Sequence, residues 1–516
     1  MSSIQATNPA TGENMGEIPV MEEAEVKMAI NRARVAQESW AQTSFIQRKK
    51  IILSARGIIL KNIDSIAELI SKENGKPILE SISHDIMPVM DLMTYFATKT
   101  EPLLKKEKIC LGKWSFLGHK SHIEYYPYGV VGVISPWNFP FSIPLGEVVM
   151  ALMVGNAVVL KPSEFTSLVG LKIGEIMGQA GLSRDVLQIV TGDGGTGAAL
   201  VKGGVDKIVF TGSVSTGKRI MAAASEKLLP ITLELGGKDP FIVLPDADVD
   251  LASSAAVWGA FCNSGQVCAS VERVYVHQSI ADKFTNLVVE KTNKLRLGFG
   301  LRGDVDMGSM TAEMQIKKVE AQVEDAKKRG ATVLTGGERN ADLPGNFYKP
   351  TVLTHVDHSF SVVEDETFGP VLPIMTYKTE DEVVELANDS DYALNAYIWT
   401  KNLKKGEAFA SRIVAGTVNI NDSVFSNALA QTPWGGPKES GVGRTHGTLG
   451  LLDLVQMRHV HTNKMSSKKN NFWWFGYSEQ KLQMMKALCF ILFGTFFQKM
   501  GNLFKFLFYF FKVKTL

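Results

Sequence analysis

Cysteine is scarce in this sequence, and its scarcity limits the kinds of site that the chain can form. The cysteines are Cys110, Cys262, Cys268 and Cys489, too few and too scattered for the disulfide framework of a secreted protein. No second cysteine stands beside Cys268 at a metal-binding spacing, so we expect no metal site. The N-terminus also lacks the apolar run of a signal peptide. These absences favour an intracellular, reducing compartment.

The chain as a whole has almost no excess of positive or negative charge, because its formal net charge is only +2. That balance conceals two regions of opposite charge. From Lys464 onward there are nine lysines and one acid, Glu479, whereas the other 463 residues have a net charge of −6. Residues 464–516 also hold 15 of the 46 aromatic residues. The mildly acidic body gives no reason to expect a nucleic-acid partner, and the tail is a physically distinct segment.

From about Val130 the sequence alternates between short apolar runs and helix-like patterns. The runs include "GVVGVIS" (129–135), "NAVVLKPS" (156–163) and "DKIVFTGS" (206–213). Such runs between helical patterns indicate βαβ units and a parallel sheet, and a second α/β pattern follows after Gly236. The length of the chain predicts two or three domains. Ligands bind at the carboxyl ends of strands in such sheets, so the polar residues there are candidates for a site.

Cys268 stands alone on a polar stretch, "NSGQVCAS" (263–270). Its neighbours Asn263 to Gln266 are turn formers, which suggests an exposed loop. A cysteine there can act as a nucleophile if a base and an oxyanion site lie elsewhere in the fold. A buried and inert filler is the other interpretation, and the stretch alone does not decide between them.

Two turns that follow strands are candidates for a nucleotide site. "TGSVSTG" places Gly212 and Gly217 around a helix start, where free N–H groups bind phosphate, although a plain strand-to-helix turn has the same spacing. Lys161 and Glu164 follow "AVVL", where an acid commonly binds ribose hydroxyls. A solvated helix cap formed by Ser163 or Glu164 is the alternative.

Seven motifs occur in one order along the chain: "SPWNFP", "KPSE", "FTGS", "LELGGKDP", "NSGQVC", "ETFGP" and "PWGGPKESGVGR". The series resembles that of the aldehyde dehydrogenase superfamily over roughly residues 5–460, with its glutamate and cysteine motifs 34 residues apart. The resemblance implies an α/β fold with a Rossmann-like cofactor domain, a second α/β catalytic domain and a small oligomerisation hairpin. It also implies NAD(P)-dependent oxidation of an aldehyde to a carboxylate.

The resemblance assigns roles to individual residues. Cys268, as thiolate, would attack the aldehyde carbonyl, and helix dipoles or nearby donors can lower the pKa of such a thiol. Asn138 and the Cys268 backbone N–H would hold the oxyanion of the thiohemiacetal. Glu234 would activate water to hydrolyse the thioester. The cofactor-binding residues that it implies are Trp137, Lys161, Ser163, Glu164, Gly212, Ser213, Gly217, Glu366 and Phe368.

The cofactor implied is NAD or NADP. Lys161 beside Glu164 favours NAD, because a carboxylate near the ribose 2′-hydroxyl repels a 2′-phosphate. The substrate is expected to be a medium-chain, long-chain or otherwise apolar aldehyde, with a polar semialdehyde as the alternative. A CoA-acylating dehydrogenase and a structural, crystallin-like relative are further alternatives, although Glu234 and Cys268 both remain.

Three positions depart from the usual motifs of the family that the chain resembles. Ser167 stands where many relatives have proline, Trp434 where phenylalanine is usual, and Thr445 where an acid is common. None of them is a catalytic position. Trp434 either fills a larger hole or reshapes the aldehyde entrance, and we favour the filler.

The resemblance also divides the chain. Residues 1–118 and 130–235 are expected to bind the cofactor, and residues 236–435 to form the catalytic domain. Residues 119–129 and 436–463 are expected to be oligomerisation elements, the first as an alternating hairpin segment. We therefore expect a homodimer or a homotetramer.

The tail has an apolar run without charge, Ala487–Phe497, of eleven residues, too short to span a bilayer. At helical spacing, one face of the tail carries the polar residues Gln498, Asn502, Lys505, Tyr509 and Lys512. Phenylalanines and leucines fill the rest, which is typical of an amphipathic helix at a membrane surface. A helix packed on the body or on a partner subunit, a spanning anchor, and a soluble cytoplasmic enzyme are the alternatives.

Overall fold

The computed structural model describes residues 2–464 and 473–512, which fall into two units. The body unit comprises Met1–Leu103 and Pro127–Gln456. The tail unit comprises Leu104–Tyr126 and Met457–Leu516.

The strands of the described residues form four sheets. They are β1 (Ser3–Thr7), β2 (Asn14–Pro19), β3 (Glu107–Ile109), β4 (His119–Pro127), β5 (Val130–Ile134), β6 (Ala157–Lys161), β7 (Leu187–Ile189), β8 (Lys207–Thr211), β9 (Ile231–Glu234), β10 (Asp239–Val243), β11 (Val271–His277), β12 (Thr332–Thr335), β13 (Thr351–Thr354), β14 (Val371–Tyr377), β15 (Asn395–Trp399), β16 (Thr417–Ile420), β17 (Gly441–Val442) and β18 (Val455–Asn463).

The α-helices connect these strands and cover the sheets. They are α1 (Glu23–Ala41), α2 (Phe45–Lys61), α3 (Ile63–Asn74), α4 (Ile78–Glu80), α5 (Met87–Leu103), α6 (Ser142–Met153), α7 (Ser167–Gln179), α8 (Gly194–Lys202), α9 (Val214–Ser225), α10 (Val249–Phe261), α11 (Ala281–Thr292), α12 (Glu313–Lys328), α13 (Ser361–Glu364), α14 (Glu380–Asn388), α15 (Leu403–Ala410), α16 (Gly447–Leu452), α17 (Glu479–Phe493) and α18 (Phe496–Phe510).

The first large sheet of the body unit has the strand order β17–β9–β8–β5–β6–β7. Strands β9 to β7 pair in parallel, and β17 pairs antiparallel with β9 at the edge. Every residue of β5 and β6 is buried, as expected when helices cover both faces of a parallel sheet. The predicted α/β architecture is confirmed, and Glu234 is the last residue of its strand, β9.

The second large sheet of the body unit has the order β12–β13–β14–β11–β10–β15–β16. Its pairs are parallel except for β12 with β13. Its core contains Phe241, Tyr397 and Trp399, whose rings pack against one another. The turn that carries Cys268 leads directly into β11, so the rigid centre of this sheet fixes the position of the cysteine.

The tail unit contains a three-stranded sheet with the order β18–β4–β3. Strand β4 forms an antiparallel hairpin with β3, in which Glu107 lies opposite Ile123. The predicted oligomerisation segment 119–129 contains the central strand of this sheet, which pairs with β3 on one side and with β18, near the expected second strand at 450–462, on the other. Arg458 of β18 donates to Glu124 Oε1 at 2.9 Å across this sheet.

The C-terminal segment forms two helices, α17 and α18. The predicted helical tail is confirmed, and it consists of two helices because the chain breaks at Gly494 and Thr495. Thr495 starts α18 with a capping box, in which its hydroxyl accepts from the Gln498 N–H and the Gln498 side chain accepts from the Thr495 N–H. Within residues 2–464 and 473–512, no helix is both long and apolar enough to cross a membrane.

Candidate active site

Cys268 lies in the turn before β11, where two cavities of the body unit meet. The larger cavity has a volume of about 610 Å³ and the smaller one about 80 Å³. Both are lined by Cys268 together with Ile143, Thr211 and Leu235. A reactant on either side can therefore reach the same sulfur atom.

The loop before Cys268 is buried, and the prediction that its turn formers are exposed is wrong. Asn263 and Ser264 have φ values of 49° and 56°, in the left-handed region that asparagine tolerates better than most residues. Several of their polar groups are paired inside the protein: the Asn263 N–H donates to Glu80 Oε2 at 2.9 Å, and Ser264 Oγ donates to the Gly308 carbonyl at 2.9 Å. These internal hydrogen bonds allow a polar loop to be buried.

Asn138 is 2% exposed, and hydrogen bonds hold both its backbone carbonyl and its side-chain amide. Its carbonyl oxygen accepts from Lys76 Nζ at 2.7 Å and from Asn263 Nδ2 at 2.9 Å. Its side-chain Nδ2 donates to the Gln266 carbonyl at 3.0 Å, which uses one of the two amide hydrogens. The residue lines the larger cavity, and its second amide hydrogen remains available for a developing oxyanion.

Glu234 is 4% exposed and lines the smaller cavity with Cys268. Within the described part of the chain, neither of its carboxyl oxygens has a hydrogen-bond partner. A Cβ atom at Gly435 would contact Glu234 Oε1, so only glycine fits behind the carboxyl. Burial, reinforced by the charge of Glu147, raises the pKa of Glu234 well above its usual value. A raised pKa makes the ionised carboxyl a stronger base, and its unpaired oxygens leave it able to accept a proton.

The thiol of Cys268 has a raised pKa, contrary to the expected lowering. Burial is the main cause, and the nearby carboxyls of Asp239, Glu366 and Glu234 add to it because they oppose a negative sulfur. The cysteine lies in a turn and not at the start of a helix, so no helix dipole compensates. The thiol consequently requires a base to ionise it.

The larger cavity contains most of the residues expected to bind a dinucleotide. Lys161 Nζ lies 3.1 Å from Glu164 Oε2 at the end of β6. Gly217 does not line the cavity; it packs inside α9 against the Leu235 side chain. The expected cofactor residues that do line it are Trp137, Lys161, Ser163, Glu164, Gly212, Ser213, Glu366 and Phe368.

The shape and the chemistry of this cavity fit NAD or NADP. Gly194 and Gly197 line it, and a Cβ added at either residue would meet no protein atom within 4 Å, so it would project into the cavity. Ser213 is the N-cap of α9, whose first N–H groups are suited to bind a pyrophosphate. The lining also includes the cations Lys161, Lys202, Arg219 and Lys318.

The "ETFGP" turn is held by a carboxyl that the sequence motifs did not reveal. Glu272 Oε2 accepts from the Thr367 N–H at 2.7 Å, and its Oε1 accepts from the Phe368 N–H at 2.9 Å. These bonds hold Phe368 at a φ of 53° and place its ring edge-on to Trp137, with the centroids 5.4 Å apart. Glu366 Oε1 accepts from the Gly237 N–H at 3.1 Å.

The smaller cavity is lined mainly by apolar side chains. Among the residues that the structure describes, no lysine or arginine lines it. Burial lowers the pKa of His84 and of His446 to about 4, so both are neutral at pH 7. Trp434 is 8% exposed and both packs in the core and lines the cavity, so it is more than a filler. The apolar lining consists of Pro88, Val89, Leu92, Phe139, Ile143, Leu235, Ala428 and Trp434.

Several residues of the site escaped the sequence analysis. Lys76 and Asp85 form a fully buried ion pair at 2.7 Å, and Asp85 Oδ1 accepts from the Phe141 and Ser142 N–H groups at the start of α6. Glu147 lies within α6, in a run that is otherwise apolar. A single charge in a helix or loop gives no pattern, so only the folded structure reveals these contacts.

Comparison with known proteins places the chain among enzymes. The model of the aldehyde dehydrogenase family matches residues 1–460. The 4,4′-diapolycopene aldehyde oxidase of Methylomonas sp. is 38% identical over 494 residues, which cover 96% of this chain and 92% of that protein. A Mycolicibacterium smegmatis protein provisionally named succinate-semialdehyde dehydrogenase [NADP(+)] is 37% identical over 458 residues, 88% of each chain.

A solved structure agrees with this assignment. The NAD+ complex of an aldehyde dehydrogenase from Bacillus cereus is similar to this chain with a TM-score of 0.86 and 35% identity, over 90% of this chain and 94% of that one. The chain belongs to the aldehyde dehydrogenase family, and it is an oxidoreductase that acts on aldehydes with NAD or NADP.

Proposed function

We propose that this enzyme oxidises an uncharged, apolar aldehyde to its carboxylate, with Cys268 as nucleophile and Glu234 as general base. The observation that carries the proposal is that Cys268 lies between two cavities, with the unpaired carboxyl of Glu234 in the smaller one. The larger cavity fits the dinucleotide, so the smaller one is left for the aldehyde.

The proposed reaction begins with a proton transfer between Cys268 and Glu234. Glu234 takes the proton of the Cys268 thiol, and the thiolate sulfur bonds to the aldehyde carbon. Asn138 donates its free amide hydrogen to the resulting oxyanion. The larger cavity would hold NAD(P)+, which would supply the oxidising equivalent as the acceptor of a hydride.

Glu234 releases the thiol proton to solvent before the thioester on Cys268 is hydrolysed. A water molecule then attacks the thioester carbon and passes one proton to Glu234. The C–S bond breaks, Glu234 returns that proton to the Cys268 sulfur, and the acid leaves as its carboxylate after losing its own proton to solvent.

The lining of the smaller cavity supports an uncharged substrate. A semialdehyde that carries a carboxylate would meet the buried acids Glu147 and Glu234 there, and none of the described residues that line the cavity is a lysine or an arginine. An apolar chain gains about 0.8 kcal/mol for each CH₂ group removed from water. The name of the Methylomonas relative refers to a diapolycopene aldehyde, whereas the mycobacterial name favours succinate semialdehyde as the second candidate.

Residues Lys161 and Glu164 support NAD over NADP. The Glu164 carboxylate is paired with Lys161 and stays at the cavity wall, where it would repel a 2′-phosphate. The two large sheets support the domain division, with residues 1–118 and 130–235 for the cofactor and 236–435 for catalysis, because strands β5 to β9 belong to the first sheet and strands β10 to β16 to the second.

Similarity to the aldehyde dehydrogenase family supports assembly into a dimer or a tetramer through residues 119–129 and 436–463. Strand β4 lies between β3 and β18 in the tail unit, and the outer edges of β3 and β18 are where another strand can pair.

The C-terminal helices support binding to a membrane surface. No residue of α18 is buried, and Lys499, Lys505 and Lys512 supply positive charge beside its aromatic rings. Exposed apolar patches of this kind mark membrane or protein contacts. The exposed phenylalanines are Phe490, Phe493, Phe496, Phe497, Phe504, Phe508 and Phe511.

The substrate class is tested by a rate profile. The value of kcat/KM is measured for straight-chain aldehydes of increasing length and for succinate semialdehyde, each with NAD and with NADP. We expect kcat/KM to rise with chain length and to be higher with NAD. A higher kcat/KM for succinate semialdehyde than for every apolar aldehyde would contradict the assignment of the cavity.

The tail is tested by sedimentation of the full chain with vesicles of anionic or zwitterionic lipid. Each lysine near an anionic surface contributes roughly 1 kcal/mol, so the triple change Lys499→Glu, Lys505→Glu and Lys512→Glu should release the protein from anionic vesicles. Deletion of 487–516 should abolish binding to both. Binding that survives both changes would show that the tail does not carry the membrane contact.

A further inference from the structure

The ion pair of Lys76 and Asp85 is buried beside the residue proposed as oxyanion donor, and the reaction set out above does not use it. Both side chains are 0% exposed, and Lys76 Nζ lies 2.7 Å from Asp85 Oδ2. Lys76 follows Gly75, which ends α3 with a φ of 99° and where a Cβ would lie 2.3 Å from Ser309 Oγ. A buried charge is costly unless it is paired, so this lysine needs each of its partners.

The Lys76 ammonium also contacts the segment that carries the oxyanion donor. It donates to the backbone carbonyl of Asn138 at 2.7 Å. It lies over the ring of Phe139, 4.3 Å from the centroid, which is within the range of a cation–π interaction. Asn74, the last residue of α3, donates from Nδ2 to the Trp137 carbonyl at 2.8 Å. The end of α3 therefore holds two consecutive carbonyls of this segment.

Asp85 holds the other side of the same segment. It belongs to a π-helical turn, Ser81–Ile86, and such turns are rare and frequent at functional sites. Its Oδ1 accepts from the N–H groups of Phe141 and Ser142, at 3.1 and 3.0 Å, where α6 begins. The first N–H groups of a helix have no partner within it, and the helix dipole favours a carboxylate there. One ion pair thus fixes residues 138–142 at the first carbonyl and at the last two N–H groups.

The position of this segment decides where the side-chain amide of Asn138 points. Its backbone carbonyl accepts from Lys76 Nζ and from Asn263 Nδ2, so both lone pairs are used. Its Nδ2 donates to the Gln266 carbonyl at 3.0 Å. Because the backbone and the side chain are both held, the remaining amide hydrogen has a fixed direction. Direction matters, since a displacement of about 1 Å in a catalytic site can lower the rate about 10²-fold.

We propose that Lys76, with Asp85 as its counter-ion, is a positioning residue for the oxyanion donor: it holds the Asn138 peptide so that the side-chain amide faces the oxyanion formed on Cys268. The proposal rests on the role assigned to Asn138 in the proposed function. Neither residue of the ion pair lines the larger or the smaller cavity, so the pair acts through Asn138 and not on the substrate or the cofactor.

The test uses the full chain with NAD and an apolar aldehyde. Lys76→Met removes the ammonium and keeps an unbranched side chain. Lys76→Met combined with Asp85→Asn removes both charges, so it leaves no unpaired charge buried and serves if the single variant does not fold. In either variant, kcat and the rate of the NADH burst should fall about 10- to 100-fold, because aldehyde addition and thioester hydrolysis both form an oxyanion. The Kd for NAD should stay within about twofold.

A double-mutant cycle with Asn138→Ala separates positioning from a general structural role. In the Asn138→Ala background the donor that Lys76 positions is absent, so the added Lys76 substitution should change kcat by no more than about twofold. The backbone carbonyl of residue 138 is still present in that background. Any effect of Lys76 on the fold of the site would therefore persist there as a further loss of kcat.

Arg48→Met is the matched control, because Arg48 is also a buried cation that holds α6. It is 5% exposed, and its Nη1 donates to the Met153 carbonyl at 3.1 Å, at the opposite end of the helix. Its loss should lower the melting temperature, as the loss of Lys76 should. The kcat of Arg48→Met should nevertheless stay within about twofold of wild type.

Three results would overturn the proposal. The first is a kcat within about twofold of wild type in a folded variant without the ion pair. The second is a loss of kcat that is as large in the Asn138→Ala background as in the wild-type background. The third is an equal loss in Arg48→Met. Failure of the role assigned to Asn138 is a different result, since it would appear as wild-type kcat in Asn138→Ala alone.

Discussion

The two cavities that meet at Cys268 differ in volume, in lining and in charge. The larger one, about 610 Å³, is lined by four cations and by the start of a helix, and it contains two of the glycines at which a side chain would project into the space. The smaller one, about 80 Å³, has an apolar wall, two buried acids and no lysine or arginine among the described residues.

The difference explains how one sulfur atom can serve two reactants. A phosphate-bearing cofactor needs polar and positively charged surroundings, whereas an apolar aldehyde needs apolar ones. The strand ends around Cys268 keep these two environments apart. Glu234 of the smaller cavity also has an opposing effect, because its charge contributes to the raised pKa of the Cys268 thiol that it is needed to ionise. Substitutions at the shared residue, at the larger cavity and at the smaller cavity should therefore have separable effects.

The largest effect is expected where the cavities meet. Cys268→Ala should reduce aldehyde oxidation by about 10⁴-fold or more, because no other nucleophile replaces the thiol, while NAD binding remains. The measurement is steady-state NADH formation together with NAD binding by fluorescence. Cys262→Ala is the control, since Cys262 is buried in the core nearby. Equal loss of activity in a folded Cys262→Ala protein would contradict the assignment.

Asn138 should be the next most sensitive residue. Asn138→Ala removes one oxyanion donor, for which a loss of roughly 10²–10³ in kcat is typical. Asn138→Gln should also lose activity, because the longer side chain cannot keep the hydrogen bond to the Gln266 carbonyl in place. A kcat within about twofold of wild type in Asn138→Ala would show that the amide does not face the oxyanion.

A change in the larger cavity should alter the cofactor and leave the aldehyde profile intact. Glu164→Ser removes the carboxylate that would repel a 2′-phosphate, so the ratio of kcat/KM for NADP to that for NAD should rise by about tenfold. The ratio is measured with one aldehyde, and the dependence on aldehyde chain length is measured with each cofactor. An unchanged cofactor ratio would place Glu164 away from the ribose.

The smallest effect is expected in the smaller cavity. Trp434→Phe enlarges it, so relative kcat/KM should shift toward bulkier aldehydes by a few fold, the effect of about 1 kcal/mol. Trp399→Phe is the matched control, because Trp399 is buried in the same core and does not line the cavity. That control should lower the melting temperature without changing the order of substrates. If Trp399→Phe also changed the order of substrates, the effect of Trp434→Phe would come from altered core packing and not from the wall of the cavity.

The parts of the fold that could be predicted are those with a local pattern. Fully apolar runs between helical patterns identify β5, β6 and β8 as parallel strands, and the motif series places Cys268, Glu234 and Asn138. Glu147 and Glu272 could not be predicted, because each is one charged residue whose partner lies far away in the sequence. The exposed loop was predicted wrongly at Asn263 for the same reason: its partners are distant in the chain.

The tail and the Cys268 thiol show two further limits of prediction from sequence. The break between α17 and α18 depends on Gly494 followed by the Thr495 cap, a local signal that the long apolar pattern conceals. The direction of the pKa shift at Cys268 depends on three carboxyls, Asp239, Glu366 and Glu234, which the fold brings together from separate segments. A pKa of this kind follows from tertiary structure and not from a motif.

The central claim is that Glu234 acts on the thioester from the side of the smaller cavity, and rapid mixing of Glu234→Gln with NAD and an apolar aldehyde tests it most directly. Glutamine keeps the size of the side chain but accepts no proton. The account predicts a burst of NADH close to one equivalent per active site, at a slower rate because the thiol has lost its base, followed by turnover reduced by about 10²–10⁴-fold. Turnover at the wild-type rate in the absence of CoA or another acyl acceptor would contradict it.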